Sequence, residues 1–326
     1  MGGRVADTVL IITHSGDEPA GMVVDAVKAR GCDAVRFDTD RFPTELRLVL
    51  SQGTNRAPSY LFVEGDRRVE LTQVKSVWYR RFYSARLPPE LDERYLQYSK
   101  LEIRTLLSSL FAALPDARWI DPIDRVHRAH HKVPQLELAK QAGFTVPDTL
   151  ATNDPEAARR FFEEHQGKVV TKMLNAISFT DDGNEQMVFT SKVQEQHLDE
   201  LDGLRYCPAV FQEMVDKEVE LRVAVVGRKL FVASVDSKGG AGEVDWRRAG
   251  DLAYHFTPDS LPPDVVECVH RLMDAYGLTY GSLDIIRRPD GKHVFLEVNS
   301  AGEWAWLQQM VGLPIHEALA DELTRA

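Results

Sequence analysis

The sequence predicts an α/β (α+β) protein in which a parallel sheet comes first and antiparallel strand pairs follow. Three stretches carry this expectation. Asp7 to Thr13 (DTVLIIT), a helical segment from Pro19 and a second strand at Ala34 to Phe37 make a βαβ opening, which implies parallel strands. Glu220 to Val226 and Lys229 to Val235 alternate on either side of Gly227-Arg228, as an antiparallel pair does. Gly281 to Asn299 (GSLDIIRRPDGKHVFLEVN) reads as two apolar-rich strands joined by Pro289-Asp290-Gly291-Lys292, where Asp-Gly is a strong hairpin signal.

In chain order, the first helix places Met22, Val23, Ala26 and Val27 at helical spacing, and Gly31 is its expected stop. Leu46–Leu50, Tyr60–Val63 and Val69–Leu71 form a strand meander, after which Val77 to Arg80 returns to the sheet and leaves Arg80 and Arg81 at a strand end. Such a pair can receive an anion or form surface salt bridges. Leu101, Ile103, Leu106, Leu107, Leu110 and Phe111 give the stripe of a long helix over Leu91–Leu114, which Pro115 breaks. One helix is expected over Asp124–Gln141, with Arg125, His127, Arg128, His130, His131 and Lys132 as a cationic cluster. It has no carboxylate or Cys at ligand spacing, which argues against a metal there and leaves a nucleotide phosphate or a solvated basic face. Asp154-Pro155-Glu156 is a helix start with Asp at N-cap and Pro at N1. Lys168–Met173 is a strand with Lys172 near its exit, followed by the turn Asp181-Asp182-Gly183-Asn184, a returning strand at Val188–Thr190 and a short acidic helix at Val193–Leu201. The apolar run Pro208–Val215 ends in a linker-like Asp-Lys-Glu. Lys238–Gly242 is glycine-rich but lacks the spacing of a phosphate-binding loop. Pro263–Tyr276 is a helix that feeds the last hairpin, and short helices follow Trp304 and Pro314.

The chain has 326 residues, enough for about two or three domain-sized units. A formal net charge of −11 argues against a general nucleic-acid binder. No apolar run approaches the roughly 18–20 residues of a membrane span. Cys32, Cys207 and Cys268 are scattered without CxxC spacing, so neither a disulfide framework nor a zinc site is expected and the cytoplasm is the default compartment.

The closing hairpin carries the chemistry. A two-residue loop sets Asp284 opposite Glu297 and Asn299 opposite Ser282, with all three polar side chains on one face. Leu283, Ile285, Leu296 and Val298 then make the core face. Two carboxylates and an amide oxygen that converge repel one another unless a cation neutralises them, and oxygen ligands suit Mg²⁺ beside substrate phosphates. The alternative is a strand pair whose polar face meets water.

The order of these features resembles one family. VWYRR at 77–81, KVPQLELAKQAGFTVPDTLATNDPEAARRFF at 132–162, VVTK at 169–172, QEMV at 212–215, ELRVAVVG at 220–227, DWRR at 245–248, GSLDII at 281–286 and FLEVNSAGEW at 295–304 resemble the ATP-grasp macrocyclases that mature microviridin-like graspetides. These are ribosomally made peptides crosslinked by side-chain esters or amides. The resemblance implies the ATP-grasp fold, with an N-terminal pre-ATP-grasp α/β domain at 1–118 and two antiparallel-sheet subdomains at 119–211 and 212–326 that enclose ATP. It implies that Lys132 and Lys172 meet the nucleotide phosphates and that Gln212 to Val215, through Glu213 and Val215, holds adenine. Arg222 approaches the γ-phosphate, a role its planar charge suits, and Glu220 either contacts ribose or holds Arg222. Asp284, Glu297 and Asn299 are the implied Mg²⁺ ligands. Where the family often has Asn before the first lysine, this chain has His131.

The implied reaction activates a carboxylate as an acyl phosphate, which a hydroxyl or amine attacks, so no protein nucleophile is required. Asp236 is a candidate proton acceptor on position alone, and Lys238 joins the catalytic set. The implied partner is a precursor peptide whose leader docks at about Ser178 to Leu201, where Asp181, Asp182 and Asn184 either meet the leader or simply form the turn. Arg80, Arg81, Arg247 and Lys238 are candidates for attracting acidic core side chains. A homodimer is the expected assembly, with no nucleic acid or membrane partner. Rival readings are an amide-forming relative with a Lys acceptor, a ligase adding free glutamate to a protein tail, and a nucleotide-binding regulatory protein without catalysis.

Overall fold

The computed structural model describes residues 7–114, 116–174, 178–181, 184–187, 189–236 and 256–325, with the backbone alone at 178–181 and 184–187. The chain divides into two compact units. One comprises residues 1–126, 278–280 and 314–326, and the other residues 127–277 and 281–313.

The first unit opens with β1 (Thr8–Thr13), α1 (Glu18–Ala29) and β2 (Asp33–Asp38). β1 and β2 pair in parallel from Thr8↔Asp33 to Thr13↔Asp38, as the βαβ pattern requires. Gly31 ends the helix segment at φ +78°, a left-handed conformation that glycine adopts without steric cost. β3 (Arg47–Gly53), β4 (Arg56–Glu64) and β5 (Arg67–Glu70) form the three-stranded meander. β6 (Ser76–Tyr79) returns beside β1, α2 spans Glu93–Ala112, and β7 (Arg118–Ile120) completes a parallel sheet of order β2-β1-β6-β7. Ile12, Phe37, Phe62 and Val77 pack with Leu107, Leu110 and Phe111 from the C-terminal half of α2.

α3 (Ile123–Ala129) and α4 (Lys132–Gln141) replace the single helix expected over Asp124–Gln141. The break has a local cause. In a continuous helix Pro134 would sit in the interior, where it has no N–H for the His130 carbonyl and its ring clashes with it. With His131 extended at φ −77°, ψ 99° as the N-cap, Pro134 falls in the first turn, where that N–H has no partner to lose. The break makes Lys132 the first residue of a helix.

The second unit continues with β8 (Thr149–Thr152), α5 (Pro155–Glu164), β9 (Val169–Lys172), β10 (Ser178–Asp181), β11 (Asn184–Met187), β12 (Ser191–Lys192), a 3-10 helix (Glu195–Arg205) and β13 (Ala209–Glu213). Asp154 caps α5 by accepting the Glu156 N–H at 3.0 Å, as expected from the sequence. The returning strand β11 starts at Asn184, earlier than Val188–Thr190. β12-β9-β13-β8 form one sheet, packed through Val169 and Phe211 against Ala158, Phe162, Leu201 and Leu204.

β14 (Val219–Val226), β15 (Lys229–Val235), β16 (Phe256–Pro258), α6 (Pro263–Tyr276), β17 (Tyr280–Arg287), β18 (His293–Asn299) and α7 (Ala305–Val311) follow. Their sheet has the order β16-β15-β14-β17-β18, which leaves β18 at an edge. The last helix, α8 (Ile315–Thr324), belongs to the first unit, where Arg30 reaches Asp321 at 2.6 Å and Arg118 reaches Glu322 at 2.5 Å.

The closing hairpin departs from the expected geometry in two compensating ways. Its loop has three residues: Arg288 N–H donates to the Lys292 carbonyl and Gly291 stands at φ +81°. That offsets the ladder by one residue, giving Arg287↔His293, Ile286↔Val294 and Ile285↔Phe295. A bulge at Leu296 restores the offset, so that Asp284↔Glu297, Leu283↔Val298 and Ser282↔Asn299 pair. The expected pairing is present, but the bulge and not a two-residue turn delivers it. Phe295, 0% exposed, takes the core position expected of Leu296, which is half-buried.

Candidate functional site

Five elements bring charge together. β17 and β18 carry Asp284 and Glu297 as cross-strand partners. β14, next to β17 in the sheet, carries Glu220 and Arg222 two residues apart and so on one face. α4 supplies Lys132 from its first residue, and β9 supplies Lys172 from its last.

Arg222 is the hub. One amino group lies 2.9 Å from Asp284 Oδ1 and the other donates to Glu220 Oε2 at 2.9 Å, while Glu220 Oε1 accepts from Lys217 Nζ at 2.6 Å. Lys217, Glu220 and Arg222 are each about a tenth exposed. Alternating charge thus runs from Lys217 to Asp284. Glu220 accepts from Arg222, a contact that suits one of the two roles expected of it.

Lys132 Nζ approaches Glu297 Oε2 at 3.2 Å and the Val298 carbonyl at 3.5 Å. Burial works against the Glu297 charge, but Lys132, Lys172 and Arg222 outweigh it and hold this carboxyl below the usual range. Lys172 shows the converse. Burial lowers its pKa and Lys132 lowers it further, while Glu297 and Asp284 pull it back up. Lys172 Nζ donates to Gln212 Oε1 at 3.2 Å, and Gln212 Nε2 donates to Thr149 Oγ1 at 2.8 Å, so the buried Gln212 ties β13, β9 and β8 together.

Asn299 ends β18 with an exposed side chain whose Oδ1 accepts the Ala301 N–H at 3.2 Å. The chain turns tightly here: a Cβ on Gly302 would stand 2.5 Å from Ser282 Cβ, so only glycine fits. Asp284, Glu297 and Asn299 offer oxygen donors only, and among the described residues no group of three or more His, Cys, Asp or Glu side chains forms a metal cage. Two carboxylates and one amide oxygen fit Mg²⁺, which keeps waters and substrate oxygens in its remaining positions.

The family model described as the MvdD pre-ATP grasp domain matches residues 8–127. Macrocyclase MdnC of Microcystis aeruginosa MRC, solved with precursor peptide MdnA, is 37% identical with TM-score 0.89, over 98% of this chain and 100% of that one. The chain belongs to the graspetide ATP-grasp macrocyclase family. A RiPP-associated ATP-grasp ligase of Chryseobacterium gregarium, in complex with ADP and a leader and core peptide, is 33% identical with TM-score 0.91, covering 97% of this chain and 96% of that one. Macrocyclase MdnB of Microcystis aeruginosa MRC is 34% identical with TM-score 0.83, covering 98% and 100%. A search of curated protein sequences finds no match. The fold is ATP-grasp and the chain is an ATP-grasp ligase. Among the described residues, no helix is long and apolar enough to cross a membrane.

The other expected positions of this ligase divide as follows. Glu213 is the last residue of β13, and Val215 follows in the connection to β14. Asp236 is exposed at the exit of β15. Asp181 and Asn184 are paired neighbours that close the β10–β11 hairpin. Asp182, Lys238 and Arg247 lie outside the described residues. In the first unit Arg80 does not stand at an open strand end. It is 1% exposed with Asp17 at 3.5 Å, and Thr13 Oγ1 also donates to Asp17. Its charge is committed to that unit's interior, and the half-buried Arg81 is the more accessible of the two.

Sequence reasoning passed over Lys217, Thr149 and Gln135. Lys217 falls in the linker-like Asp-Lys-Glu run. A local signal did exist: Lys217 stands three residues before Glu220, which lies in a strand buried almost throughout, where any charge must be neutralised. Thr149 and Gln135 act through contacts 63 and 163 residues away in sequence, which no local pattern announces.

Proposed function

We propose that the protein uses ATP and Mg²⁺ to activate Asp or Glu side chains of a ribosomal precursor peptide as acyl phosphates, and joins them to Thr or Ser hydroxyls as macrolactones. The observation that carries this reading is the pairing of Arg222 with Asp284 and of Lys132 with Glu297 on one sheet floor. Each cation is adjacent to a carboxylate that a metal would engage, so each is placed to turn to phosphate oxygens instead. The likeness to MdnC, which was solved with its precursor peptide, supports a peptide as substrate.

Asp284, Glu297 and Asn299 would hold Mg²⁺, which supplies charge neutralisation and alignment of the phosphates. Lys132 and Lys172 bind the triphosphate as point charges in a cleft of reduced screening. Glu213 and Val215 meet adenine through their backbone. Arg222, aimed by Glu220, stabilises charge on the phosphoryl group as it moves to the peptide carboxylate and again as phosphate leaves. A side-chain hydroxyl then attacks the acyl carbon; the C–O bond to phosphate breaks and the ester C–O bond forms. Its proton passes to a nearby base, for which Asp236, just after β15, is the candidate. The β10–β11 hairpin and the 3-10 helix after it are the proposed leader dock.

The test is to incubate the protein with ATP, Mg²⁺ and a peptide encoded beside its gene that carries repeated Thr- and Asp/Glu-rich segments. Loss of one water per crosslink, reversed by mild base, supports the ester reading. Crosslinks that survive base would replace it with the amide-forming one, and ADP release from an unchanged peptide would overturn both.

A further inference from the structure

β18 ends its sheet; on its outer side the Thr145 backbone bridges Val294 and accepts the Phe295 N–H at 2.9 Å, but no named strand runs on alongside Val298. At Val298 a side chain fills that role. Gln135, 0% exposed within α4, donates from Nε2 to the Val298 carbonyl at 2.7 Å and accepts the Val298 N–H on Oε1 at 3.0 Å. A primary amide thus reproduces the two hydrogen bonds that one residue of a paired strand would make. The remaining Nε2 hydrogen goes to the Ala129 carbonyl, the last residue of α3. All three hydrogen-bonding groups of the amide facing these partners are therefore engaged.

The placement matters because of what lies on either side. Gln135 is three residues after Lys132, on the same face of α4. Val298 directly follows Glu297. Lys132 Nζ sits 3.2 Å from Glu297 Oε2 and 3.5 Å from the Val298 carbonyl, the oxygen Gln135 also holds. The clamp therefore joins the backbone beneath the lysine to the backbone beneath its carboxylate. It also ties both to the end of α3, across the break that makes Lys132 a helix-first residue.

We propose that Gln135 is a positioning residue, holding Lys132 at the distance from Glu297 that lets its ammonium serve nucleotide phosphates. The inference rests on the reading that Lys132 binds phosphate. Gln135, 0% exposed, presents no surface to a ligand and acts through its hydrogen bonds to Val298 and Ala129 and through α4, which carries Lys132. Loss of a partner that orients a metal ligand typically costs about 10- to 100-fold, and loss of Gln135, which holds the backbone next to Glu297, is expected at the low end of that range.

A double-mutant cycle on binding of a non-hydrolysable ATP analogue with Mg²⁺ tests it, read by calorimetry without turnover. Gln135→Met is expected to weaken the analogue about tenfold in the wild-type background and less than twofold beside Lys132→Met. Equal weakening in both backgrounds would show a merely structural residue and overturn the inference. Gln135→Glu, which keeps the acceptor for Val298 N–H and loses both donors, is expected to show the same non-additivity. Hydrogen exchange on the unaltered protein needs no variant: the Val298 amide is expected to be protected, and exchange as fast as a solvent-facing edge amide would also overturn the inference. Failure of the wild-type protein to bind the analogue would instead overturn the nucleotide-site reading itself.

Discussion

Arg222 and Asp284 face each other across neighbouring strands at 2.9 Å, with the second amino group of the same guanidinium on Glu220. A planar fork can satisfy two carboxylates at once, whereas an ammonium meets them as a point charge. Arg222→Lys is therefore expected to lower the crosslinking rate at saturating ATP by about 100-fold. Arg222→Met, which takes the guanidinium from Asp284 and leaves Glu220 to Lys217 alone, is expected to destabilise the fold by about 3 kcal/mol. Single-turnover kinetics and denaturant titration measure the two effects separately.

Glu297→Gln removes the charge that Lys132 and Lys172 both feel. Turnover is expected to collapse while leader-peptide affinity, measured by fluorescence anisotropy, stays within about twofold, since the proposed dock lies on other strands. Chelation of divalent cations should stop the wild-type reaction, and added Mg²⁺ should restore it. Wild-type turnover in the glutamine variant would remove Glu297 from the metal set.

The bulge makes an opposite forecast for two adjacent residues. Phe295→Ala opens a cavity at a fully buried position and is expected to cost about 3–5 kcal/mol. Leu296→Gln alters the bulged, half-buried residue and is expected to cost under about 1 kcal/mol. Urea midpoints of the two variants decide between this ladder and the regular one, in which the ranking reverses. One glycine added after Gly291 lengthens the loop, at a cost of about 0.6 kcal/mol or less, and leaves Asp284 opposite Glu297.

Asp121 provides a pH signature away from the reaction. Burial at 3% exposure pushes its carboxyl up to about 6, although the N–H groups of Tyr280 and Thr279 donate to it at 2.9 and 2.7 Å. A folded value above the unfolded one near 3.9 means the folded protein keeps the proton longer. The stability this contributes is full below about pH 4 and is lost as pH rises through 6, by about 3 kcal/mol at most. Asp121→Asn is expected to lack that limb, which denaturant unfolding at pH 4.5, 6 and 7.5 would show.

Much of the fold was legible because local chemistry and tertiary structure agree. The alternation of β14 and β15, the Asp154 cap and the left-handed Gly31 each follow from short-range rules. The site was legible in outline for the same reason, since Asp284 and Glu297 stand on strands whose apolar faces fix their side. What escaped is set in one place by a local breaker and elsewhere by distant partners. Pro134 splits a helix that apolar spacing alone leaves whole. Leu296 bulges because Phe295 and Val298 both fit the core, a choice made by packing and not by alternation. Arg80 is interior because Asp17, from another element, is there to receive it.

Peptide labelled with ¹⁸O in its Asp and Glu side-chain carboxylates tests the central claim most directly. If the carboxylate oxygen attacks the γ-phosphorus and later departs with phosphate, each crosslink should deliver one ¹⁸O to inorganic phosphate. Unlabelled phosphate released alongside a crosslinked product would contradict activation through an acyl phosphate.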